Sequence, residues 1–495
     1  MDLHLGNFAS LGFSLPELFL GAAVVAIFLL DLVIPRKDRL GLISLAVMVV
    51  VVWLSTRLAF ADGRTLFHRS IVLDGFALYF KVLLGLAGFA AVFMSLGSRE
   101  VERTNQGEYY GILLASVLGM LFMASATNLL MAYLSLEFVS LTSYVLSGYA
   151  RGSRRAGEAS LKYLIYGGVA SGAMIFGMSW IYGLAGSLDF GGIQQALAKD
   201  TAVSLPLFIG VLLTLAGLGF KISAFPFHMW APDVYQGAPL PVTALLAVGS
   251  KAAGFALTIR FFFTALAEPV SGGAYKLVGG VEWDTLILVL SVVTMTFGKL
   301  AALNQQANLK RLLAYSSIAH AGYMLMGFAV LSDDGLRAML FYLTIYYLMN
   351  LGAFLVVMVV ANSTGREDLA GLRGLAWRGG ALPAIAMAVF MFSLTGLPPL
   401  AGFVGKFYLF AAVVERKLYL LAVIGVLNSV VSLFYYAKVV RVMFLDRPEG
   451  GEGPVSVDLA NGALLGALTL ATIGLGLFWG PLKEFADRST QFFVG

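Results

Sequence analysis

The sequence predicts an all-α polytopic membrane protein with about fourteen transmembrane helices, and three observations support that prediction. Only 12% of the residues are charged, about half of the ~25% that is usual in a soluble domain. Hydrophobic residues make up 59% of the chain, and its mean hydropathy is +0.86. Apolar runs of the roughly 20 residues that a bilayer-spanning helix needs recur along the chain. Because so few polar side chains cannot cover a water-soluble surface, a cytosolic enzyme, a disordered scaffold and a nucleic-acid binder are excluded.

The apolar runs define successive spans joined by short loops, without a soluble domain and without a predicted strand. The first run includes Glu17 and has no basic segment before it, so we expect a retained span and not a cleaved signal peptide. The predicted spans lie near 15–35, 40–60, 75–96, 109–126, 128–149, 158–186, 204–227, 240–266, 284–303, 310–331, 336–361, 381–414, 418–445 and 460–480.

Loop charges predict the orientation of the chain. The alternate loops on one side hold more lysines and arginines than those on the other, among them Arg151, Arg154 and Lys310. Loops rich in Lys and Arg stay on the cytoplasmic side. We therefore expect a multi-pass protein of a bacterial plasma (inner) membrane with both termini on the outer, periplasmic side, which agrees with an even number of spans.

Two predicted spans contain residues that interrupt a helix. The seventh carries Pro226 after Lys221, and the twelfth carries Pro398 and Pro399 before Lys406. Proline removes a helical donor, and interrupted spans at matching positions are typical of transport sites between inverted repeats. The alternative is that Pro and Gly are simply common in membrane helices. Since the two spans are five apart, we predict two inverted five-helix repeats, each with one broken helix. The expected domains are 1–108 for helices 1–3, 109–268 for the first repeat of helices 4–8, 284–446 for the second, inverted repeat of helices 9–13, and 447–495 for helix 14.

Four charged residues lie in the middle of predicted spans, where a charge costs ~2.5–3.5 kcal/mol. They are Glu137 in the fifth span, Lys221 before the break in the seventh, Lys251 in the eighth and Lys406 after the break in the twelfth. Burial favours a neutral lysine, and a nearby carboxylate favours a charged one. A lysine whose carboxylate partner moves can therefore release its proton. The set predicts a proton relay, and the alternative is static ion pairs that fix helix packing.

Two weaker candidates extend the predicted relay. Lys162 follows Glu158 at i+4, which a plain helix-surface pair also explains. His320 lies in YSSIAHAGYMLMG and can carry protons near pH 7, although a lone helical His is often a packing residue.

The remaining polar residues of the spans predict less. Lys81, Arg260 and Lys299 lie near span ends, so we expect them at the interface, where long side chains snorkel. His228 is predicted near the inner surface, where it would line a path into the bundle. The chain has no cysteine and four histidines, so thiolate clusters are excluded and haem is disfavoured. It carries no metal-binding pattern, no nucleotide-binding loop and no visible redox centre.

Four segments resemble the subunit N family of NADH-quinone oxidoreductase, respiratory complex I, within the antiporter-like subunits. They are 134–150, 220–239, 308–327 and 394–410, and the combination of DVYQGAP with LSLE…YVLSGYA fits this family better than the sister subunits M and L or the sodium/proton antiporter D subunits. The resemblance implies a proton-translocating membrane-arm subunit with fourteen helices in inverted repeats. It also implies residue roles: a coupling pair of Glu137 and Lys221, a central relay at Lys251, a second half-channel at Lys406, and Lys162 and His320 on the same hydrated axis.

The resemblance further implies cofactors and partners. No cofactor would be bound by this chain, while NAD(H), FMN, iron–sulfur clusters and quinone would belong to partner subunits. The partners would be sister antiporter-like subunits, small hydrophobic subunits and membrane lipid, with no nucleic acid. Lys299 departs from the family pattern, where many relatives carry a neutral Asn, so its place on the axis stays open. The alternatives are a subunit of a cation/proton antiporter or membrane-bound hydrogenase, and an inert spacer in a membrane arm.

Overall fold

The computed structural model describes residues 6–35, 37–58, 63–101, 106–199, 205–280, 282–305, 308–448 and 453–490. Among these residues, twelve helices are long and apolar enough to cross a membrane. Two segments that meet at 113°, Ala370–Trp377 and Ala381–Thr395, make thirteen if they form one span. The prediction of a helical, polytopic membrane protein is therefore confirmed.

The helices follow the predicted apolar runs in order. In the first part of the chain they are α1 (Asn7–Leu11), α2 (Leu15–Val33), α3 (Asp38–Arg57), α4 (Gly75–Gly97), α5 (Gln106–Ser125), α6 (Leu129–Ser147), α7 (Arg154–Ala185) and α8 (Phe190–Lys199). Next come α9 (Leu205–Ile222), α10 (Trp230–Gly237), α11 (Leu240–Leu245), α12 (Lys251–Ala265), α13 (Trp283–Asn304) and α14 (Leu309–Ala329). The last are α15 (Asp333–Thr364), α16 (Ala381–Thr395), α17 (Ala401–Glu415), α18 (Tyr419–Phe444), α19 (Leu459–Leu477) and α20 (Gly480–Arg488).

Polar residues set where several of these helices begin. The side chains of Asp74, Asn128, Ser153 and Asn308 accept hydrogen bonds from backbone N–H groups in the first turns of α4, α6, α7 and α14. Ser332 does the same for α15. Each cap satisfies one of the donors that the first turn of a helix leaves free. The sequence therefore fixes these boundaries locally, within the short loops between the spans.

The expectation that the chain has no strands is wrong. Two antiparallel hairpins lie in connections between helices: β1 (Arg64–Leu66) pairs with β2 (Ile71–Leu73), and β3 (Ala267–Val270) pairs with β4 (Ala274–Leu277). Strands of three and four residues are too short to give a readable alternation of apolar and polar residues. They pair because backbone groups outside the helices still need hydrogen-bond partners.

Both predicted helix interruptions are present. The helix that contains Lys221 ends at Ile222, and α10 begins at Trp230. The Trp230 ring N–H donates to the Phe220 carbonyl oxygen at 2.9 Å, which closes this break. The second break separates α16 from α17 at Gly396, whose φ of +94° is readily adopted only by glycine.

A third interruption of regular α-helix contains no proline. Residues Leu246–Ser250 form a π-helical turn that joins α11 to α12 directly before Lys251. Single π turns inside α-helices are frequent at functional sites. Together the three irregular segments lie beside Lys221, Lys251 and Lys406.

The centre of the bundle is formed by two long segments. The apolar window of Leu240–Ala265 is 100% buried inside the protein and that of Asp333–Thr364 is 89% buried. The corresponding value is 39% for Arg154–Ala185 and Tyr419–Phe444, so α7 and α18 lie at the periphery. Lys251 therefore lies on a segment whose apolar window is completely enclosed by the protein.

Lys81 and Arg260 are not interfacial, so that expectation is wrong. The Arg260 guanidinium donates to both carboxylate oxygens of Asp74 at 2.8 and 2.9 Å, and the Lys81 ammonium lies 2.7 Å from Glu17. All four side chains are buried. We call Lys81 and Arg260 the paired cations. They hold α4 against α2 and α12, and the carboxylate partners on other helices explain why neither side chain extends to the interface.

Candidate functional site

Five basic side chains that are almost fully enclosed run through the interior on five different helices. They are Lys221 on α9, Lys251 on α12, Lys299 on α13, His320 on α14 and Lys406 on α17, each at most 4% exposed. We call this set the polar axis. Four of the five were predicted as relay residues, and the fifth, Lys299, was expected to snorkel.

Lys221 lies beside Glu137 without a direct ion pair. Its ammonium donates to the Ser140 hydroxyl of α6 at 3.1 Å, and Glu137, three residues earlier on α6, is near enough to act on it electrostatically. The Oε1 atom of Glu137 is buried and has no hydrogen-bond partner among the described residues. The predicted coupling pair is thus brought together but not locked, and the carboxylate keeps a free acceptor for a proton or a water molecule.

Helix α12 connects the neighbourhood of Lys221 with that of Lys251. A Cβ atom at Gly254 would lie 3.2 Å from the Cγ atom of Lys221, so the glycine lets the lysine stem pack directly on the α12 backbone. Gly254 lies three residues after Lys251, less than one turn along α12. The stem of Lys221 therefore packs on α12 within about one helical turn of Lys251.

Lys251 is held by α14 through a single residue. Its ammonium donates to the Ser317 carbonyl oxygen at 3.1 Å and also to the Ser317 hydroxyl. Tyr346 donates to the same hydroxyl at 2.8 Å, and Asn350 donates to Tyr346 at 2.8 Å. Lys251 therefore contacts a chain of neutral polar groups, and no carboxylate forms an ion pair with it within the described part of the protein.

His320 lies between two tyrosines. Its Nδ1 atom is 2.5 Å from the Tyr342 hydroxyl, and its Nε2 atom is 3.2 Å from the Tyr436 hydroxyl. Tyr436 is also hydrogen-bonded to Ser316, one residue before the serine that holds Lys251. A neutral imidazole donates from one nitrogen and accepts at the other, so this geometry allows His320 to pass a proton between the two hydroxyl groups.

Lys406 fills the second helix break. Its ammonium donates to the carbonyl oxygens of Leu394 and Thr395 at 3.1 and 2.8 Å. These are carbonyls of the last turn of α16, which the break leaves without helical donors. It also donates to the Ser429 hydroxyl at 3.0 Å, and it lies 4.5 Å from the centre of the Tyr323 ring. The break therefore creates the binding position for this lysine.

Lys299 belongs to the same group, so the expectation that it snorkels is wrong. Its side chain is 0% exposed, and its ammonium donates to the Tyr435 hydroxyl at 3.2 Å. The rings of Tyr435 and Tyr436 lie 4.4 Å apart on α18, so Lys299 and His320 contact adjacent residues of one helix. A buried hydroxyl partner on a neighbouring helix explains why the lysine points inward.

Lys162 and His228 are placed differently from the axis. Lys162 is 39% exposed and forms ion pairs with Glu158 and Asp233, each at 2.7 Å, so the structure does not bring it to the axis. His228 is buried between the rings of Phe225 and Phe297, whose centres are 5.3 and 4.4 Å away. Neither of its ring nitrogens has a hydrogen-bond partner among the described residues.

The hydroxyl groups that contact the axis residues or one another were missed from the sequence. They belong to Ser316 and Ser317 on α14, Tyr342 and Tyr346 on α15, and Ser429, Tyr435 and Tyr436 on α18. The signal was present in YSSIAHAGY, where Ser316, His320 and Tyr323 recur at helical spacing. Chains of hydroxyls can donate and accept in turn, and they therefore suit proton transfer. Within the described residues, no group of three or more His, Asp or Glu could hold a metal ion.

Residues 126–432 match the family model described as NADH:quinone oxidoreductase/Mrp antiporter, TM. The matched stretch contains all six residues that the sequence predicts for the relay.

Curated relatives match over nearly the whole chain. The chain is 47% identical to NADH-quinone oxidoreductase subunit N of Anaeromyxobacter sp. (strain Fw109-5), over 97% of this chain and 96% of that protein. It is 44% identical to NADH-quinone oxidoreductase subunit N of Chlorobium chlorochromatii, over 98% of this chain and 96% of that protein.

Chains of solved structures have a fold similar to that of this chain. A chain of respiratory complex I from Thermus thermophilus with bound aureothin is similar with a TM-score of 0.80 and 32% identity, over 95% of this chain and 99% of that one. A chain of the Mrp complex from Dietzia sp. DQ12-45-1b gives a TM-score of 0.84 at 22% identity, over 97% of each chain. At that identity the second likeness concerns the fold alone.

Proposed function

We propose that this chain moves protons across the membrane along its polar axis. The chain belongs to the NADH:quinone oxidoreductase/Mrp antiporter family and, within it, to the N subunits of NADH-quinone oxidoreductase. It is a membrane-arm subunit without a redox centre of its own. Quinone reduction elsewhere in the complex would shift the pairing of Glu137 with Lys221. Lys221 would then pass a proton towards Lys251, and Lys406 would release one on the opposite side.

One observation carries the proposal: the axis has lysines without matching carboxylates. Lys251 and Lys406 bind to hydroxyl and carbonyl oxygens. Glu137, the acidic residue that lies beside an axis lysine in the described part of the chain, is not locked to Lys221 in an ion pair. Burying an unpaired ammonium in a membrane is costly. Proton transfer explains why the axis lysines are kept there without a fixed counter-charge.

The finer architecture is part of the proposal. The twelve spans, together with α14 and the broken pair of α16 and α17, give fourteen. The breaks beside Lys221 and Lys406 then occupy matching positions in two inverted five-helix repeats, over 109–268 and 284–446. The basic loops would face the cytoplasm, with both termini on the periplasmic side of a bacterial inner membrane.

The partners follow from the same assignment. Sister antiporter-like subunits and small hydrophobic subunits would flank this chain in the membrane arm. NAD(H), FMN, iron–sulfur clusters and quinone would belong to other subunits, and the absence of cysteine from this chain agrees with electron transfer elsewhere.

Two single variants of the assembled complex, Lys221→Met and Glu137→Gln, test the relay. Each variant should lower proton pumping and coupled quinone reduction more than about tenfold, measured in inverted membrane vesicles with NADH. Lys483→Met is the matched control, because Lys483 lies on α20 in an ion pair that is partly exposed to solvent. Wild-type pumping in both Lys221→Met and Glu137→Gln would leave the subunit as an inert spacer.

Gentle solubilisation distinguishes the antiporter alternative. Flavin and iron–sulfur subunits should co-purify with this chain together with NADH oxidation. Co-purification with small hydrophobic antiporter subunits alone would instead place the chain in a cation/proton antiporter.

A further inference from the structure

Lys310 is a buried lysine outside the polar axis. It was grouped with the basic loops, yet its side chain is 1% exposed. It lies in the first turn of α14, and its ammonium donates to the Ala238 carbonyl oxygen at 2.9 Å and to Glu367 at 3.0 Å. Glu100 is 3.6 Å away. A lysine that only marked the cytoplasmic side would extend into water, so this burial needs another explanation.

The two carboxyl groups around Lys310 remain accessible from the surface. The side chains of Glu100 and Glu367 are 31% and 26% exposed, and both lie in loops, after α4 and after α15. They are also within hydrogen-bonding reach of each other. Two carboxylates that share a site do not both ionise easily, so this pair can hold one proton at the mouth of a buried lysine.

The surroundings of Glu100 favour proton binding. Burial is the main cause that raises its pKa above the ordinary value, and the charge of Glu367 adds to it. Lys310 and the Leu240 N–H, which donates to Glu100 at 2.6 Å, act in the opposite direction. Tyr109 on α5 is the further titratable group that interacts with Glu100 among the described residues. The balance is a carboxyl group that binds a proton at a higher pH than a free glutamate does.

Helix α14 connects Lys310 with the axis. Lys310 and Ser317 are seven residues apart on α14 and therefore lie on one face, about 10 Å apart along the helix. Ser317 is the residue that holds Lys251. On α15, Asn350 lies one turn from Tyr346 towards the Lys310 end of the bundle. Its Oδ1 atom is buried without a hydrogen-bond partner among the described residues. A fully buried amide oxygen needs a donor, and one water molecule in this interval would supply it and shorten the gap.

We propose that Lys310, loaded by the Glu100–Glu367 pair, is the residue through which protons enter the axis towards Lys251. A proton from the surface binds to a carboxylate oxygen of the pair and removes the charge that holds the ammonium. Once Lys251 has given its own proton to the axis, Lys310 loses one N–H proton to the neutral Lys251 amine by way of Ser317, and Lys310 takes the carboxyl proton in its place. One proton enters, one leaves, and the carboxylates return to their starting state. The inference rests on the proposed function, because it supplies that function with its uptake site.

Lys310→Arg separates the relay from a structural role. Arginine keeps the positive charge and its carboxylate partners, but it does not release a proton in proteins. If Lys310 were only structural, the larger arginine could lower assembly or stability, but pumping per assembled complex would stay normal. A relay lysine cannot be replaced in this way, and we expect assembled complex with coupled proton pumping lowered several-fold in inverted vesicles. Wild-type pumping in Lys310→Arg would overturn the inference.

Glu100→Gln and Glu367→Gln test the loading step through pH. Without the pair, uptake has to rely on the proton concentration itself, so the alkaline limb of the pH profile of coupled turnover should move to lower pH in both variants. The double variant should be no worse than either single variant, because the pair holds one proton. Asp368→Asn is the control, since Asp368 lies in the same loop in a more exposed ion pair with Arg366.

The other possible results of these experiments also support or overturn the inference. Glu100 accepts a hydrogen bond from the first residue of α11 and Glu367 does not, so Glu367→Gln provides the pH test if Glu100→Gln does not assemble. If neither variant assembles, the cluster has a structural role and the inference fails. Unchanged pH profiles in assembled variants would overturn the inference as well. Lys251→Met is measured in parallel: if it pumps normally, the proposed function fails, whereas loss of pumping in Lys251→Met with normal Lys310→Arg defeats the uptake site alone.

Discussion

The protein buries its positive charges in two different ways in two regions. Beside α2 and α4, the paired cations Lys81 and Arg260 contact carboxylates directly, at 2.7 and 2.8 Å. Along the polar axis, Lys251 and Lys406 contact hydroxyl and carbonyl oxygens. Burial is the same in both regions, so burial alone does not distinguish a structural charge from one that moves protons. The difference is a counter-charge that is itself buried: Glu17 and Asp74 are enclosed, whereas the carboxylates beside Lys310 are 31% and 26% exposed and can take up a proton from the surface.

The physical reason is what remains when the proton leaves. Removing a proton from a cation that is paired with a buried carboxylate leaves an uncompensated charge, which costs several kcal/mol. A lysine held by a hydroxyl leaves no such charge, because the hydroxyl can turn from acceptor to donor. The Glu137–Lys221 site lies between these cases, since its carboxylate is near but not locked. That intermediate position suits a step that couples proton transfer to an outside event.

The largest expected effect is on stability, in the paired region. Arg260→Met removes the guanidinium that pairs with the buried Asp74 carboxylate, and breaking a buried pair by removing one partner costs about 3–5 kcal/mol. Thermal denaturation of the solubilised complex should show the loss, while pumping per assembled complex stays normal. Arg441→Met is the control, because Arg441 is 69% exposed in its pair with Asp446, and we expect a change of at most about 1 kcal/mol. Normal stability with lost pumping in Arg260→Met would reverse the comparison.

The second effect is on activity, in the axis. Lys251→Met removes the charge that links the Lys221 side to the hydroxyl network and should lower coupled pumping more than about tenfold. Stability should not fall, because no carboxylate is left behind unpaired. Vesicle pumping and thermal denaturation measured on one preparation check both parts. A variant that pumps normally but denatures early would place Lys251 among the structural cations.

The fold was largely predictable from the sequence, because a membrane span needs a long apolar run and such runs are readable. The helix breaks at Pro226 and Pro398 were also predictable, because a proline interrupts the helix at its own position. The π turn before Lys251 was not, because no single residue in Leu246–Ser250 requires it. The two hairpins were missed because very short strands carry no periodic signal.

The site was predictable only where a residue type is anomalous in a membrane. Glu137, Lys221, Lys251 and Lys406 stand out because charge is rare inside a span. The partner of a buried charge cannot be read this way, so Lys81 looked interfacial although Glu17 lies next to it in space. Serine and tyrosine are ordinary in membrane helices. Their hydroxyl network becomes visible only when α14, α15 and α18 are packed together.

A smaller effect should follow from removing one hydroxyl of the network. Tyr436 is hydrogen-bonded to both Ser316 and His320, so Tyr436→Phe removes the hydroxyl that joins His320 to Ser316 without changing a charge. We expect a few-fold loss of coupled pumping, because other hydroxyls and water can partly replace it. Tyr347→Phe, at a buried tyrosine outside this network, is the matched control. Equal losses in both variants would mean that packing, and not the hydroxyl, matters at Tyr436.

The smallest effect is expected when both members of a structural pair are replaced together. Apart from their mutual 2.7 Å ion pair, the charged groups of Glu17 and Lys81 have no hydrogen-bond partner among the described residues. A buried pair with no further support is often matched by apolar residues of similar size. Lys81→Met alone should destabilise the protein, whereas Lys81→Met with Glu17→Leu should return to within about 1 kcal/mol of wild type in thermal denaturation. Pumping should stay normal in the double variant, because neither residue exchanges protons with the axis. If the double variant were stable but failed to pump, Lys81 would carry protons despite its carboxylate, and the counter-charge would no longer separate the two regions.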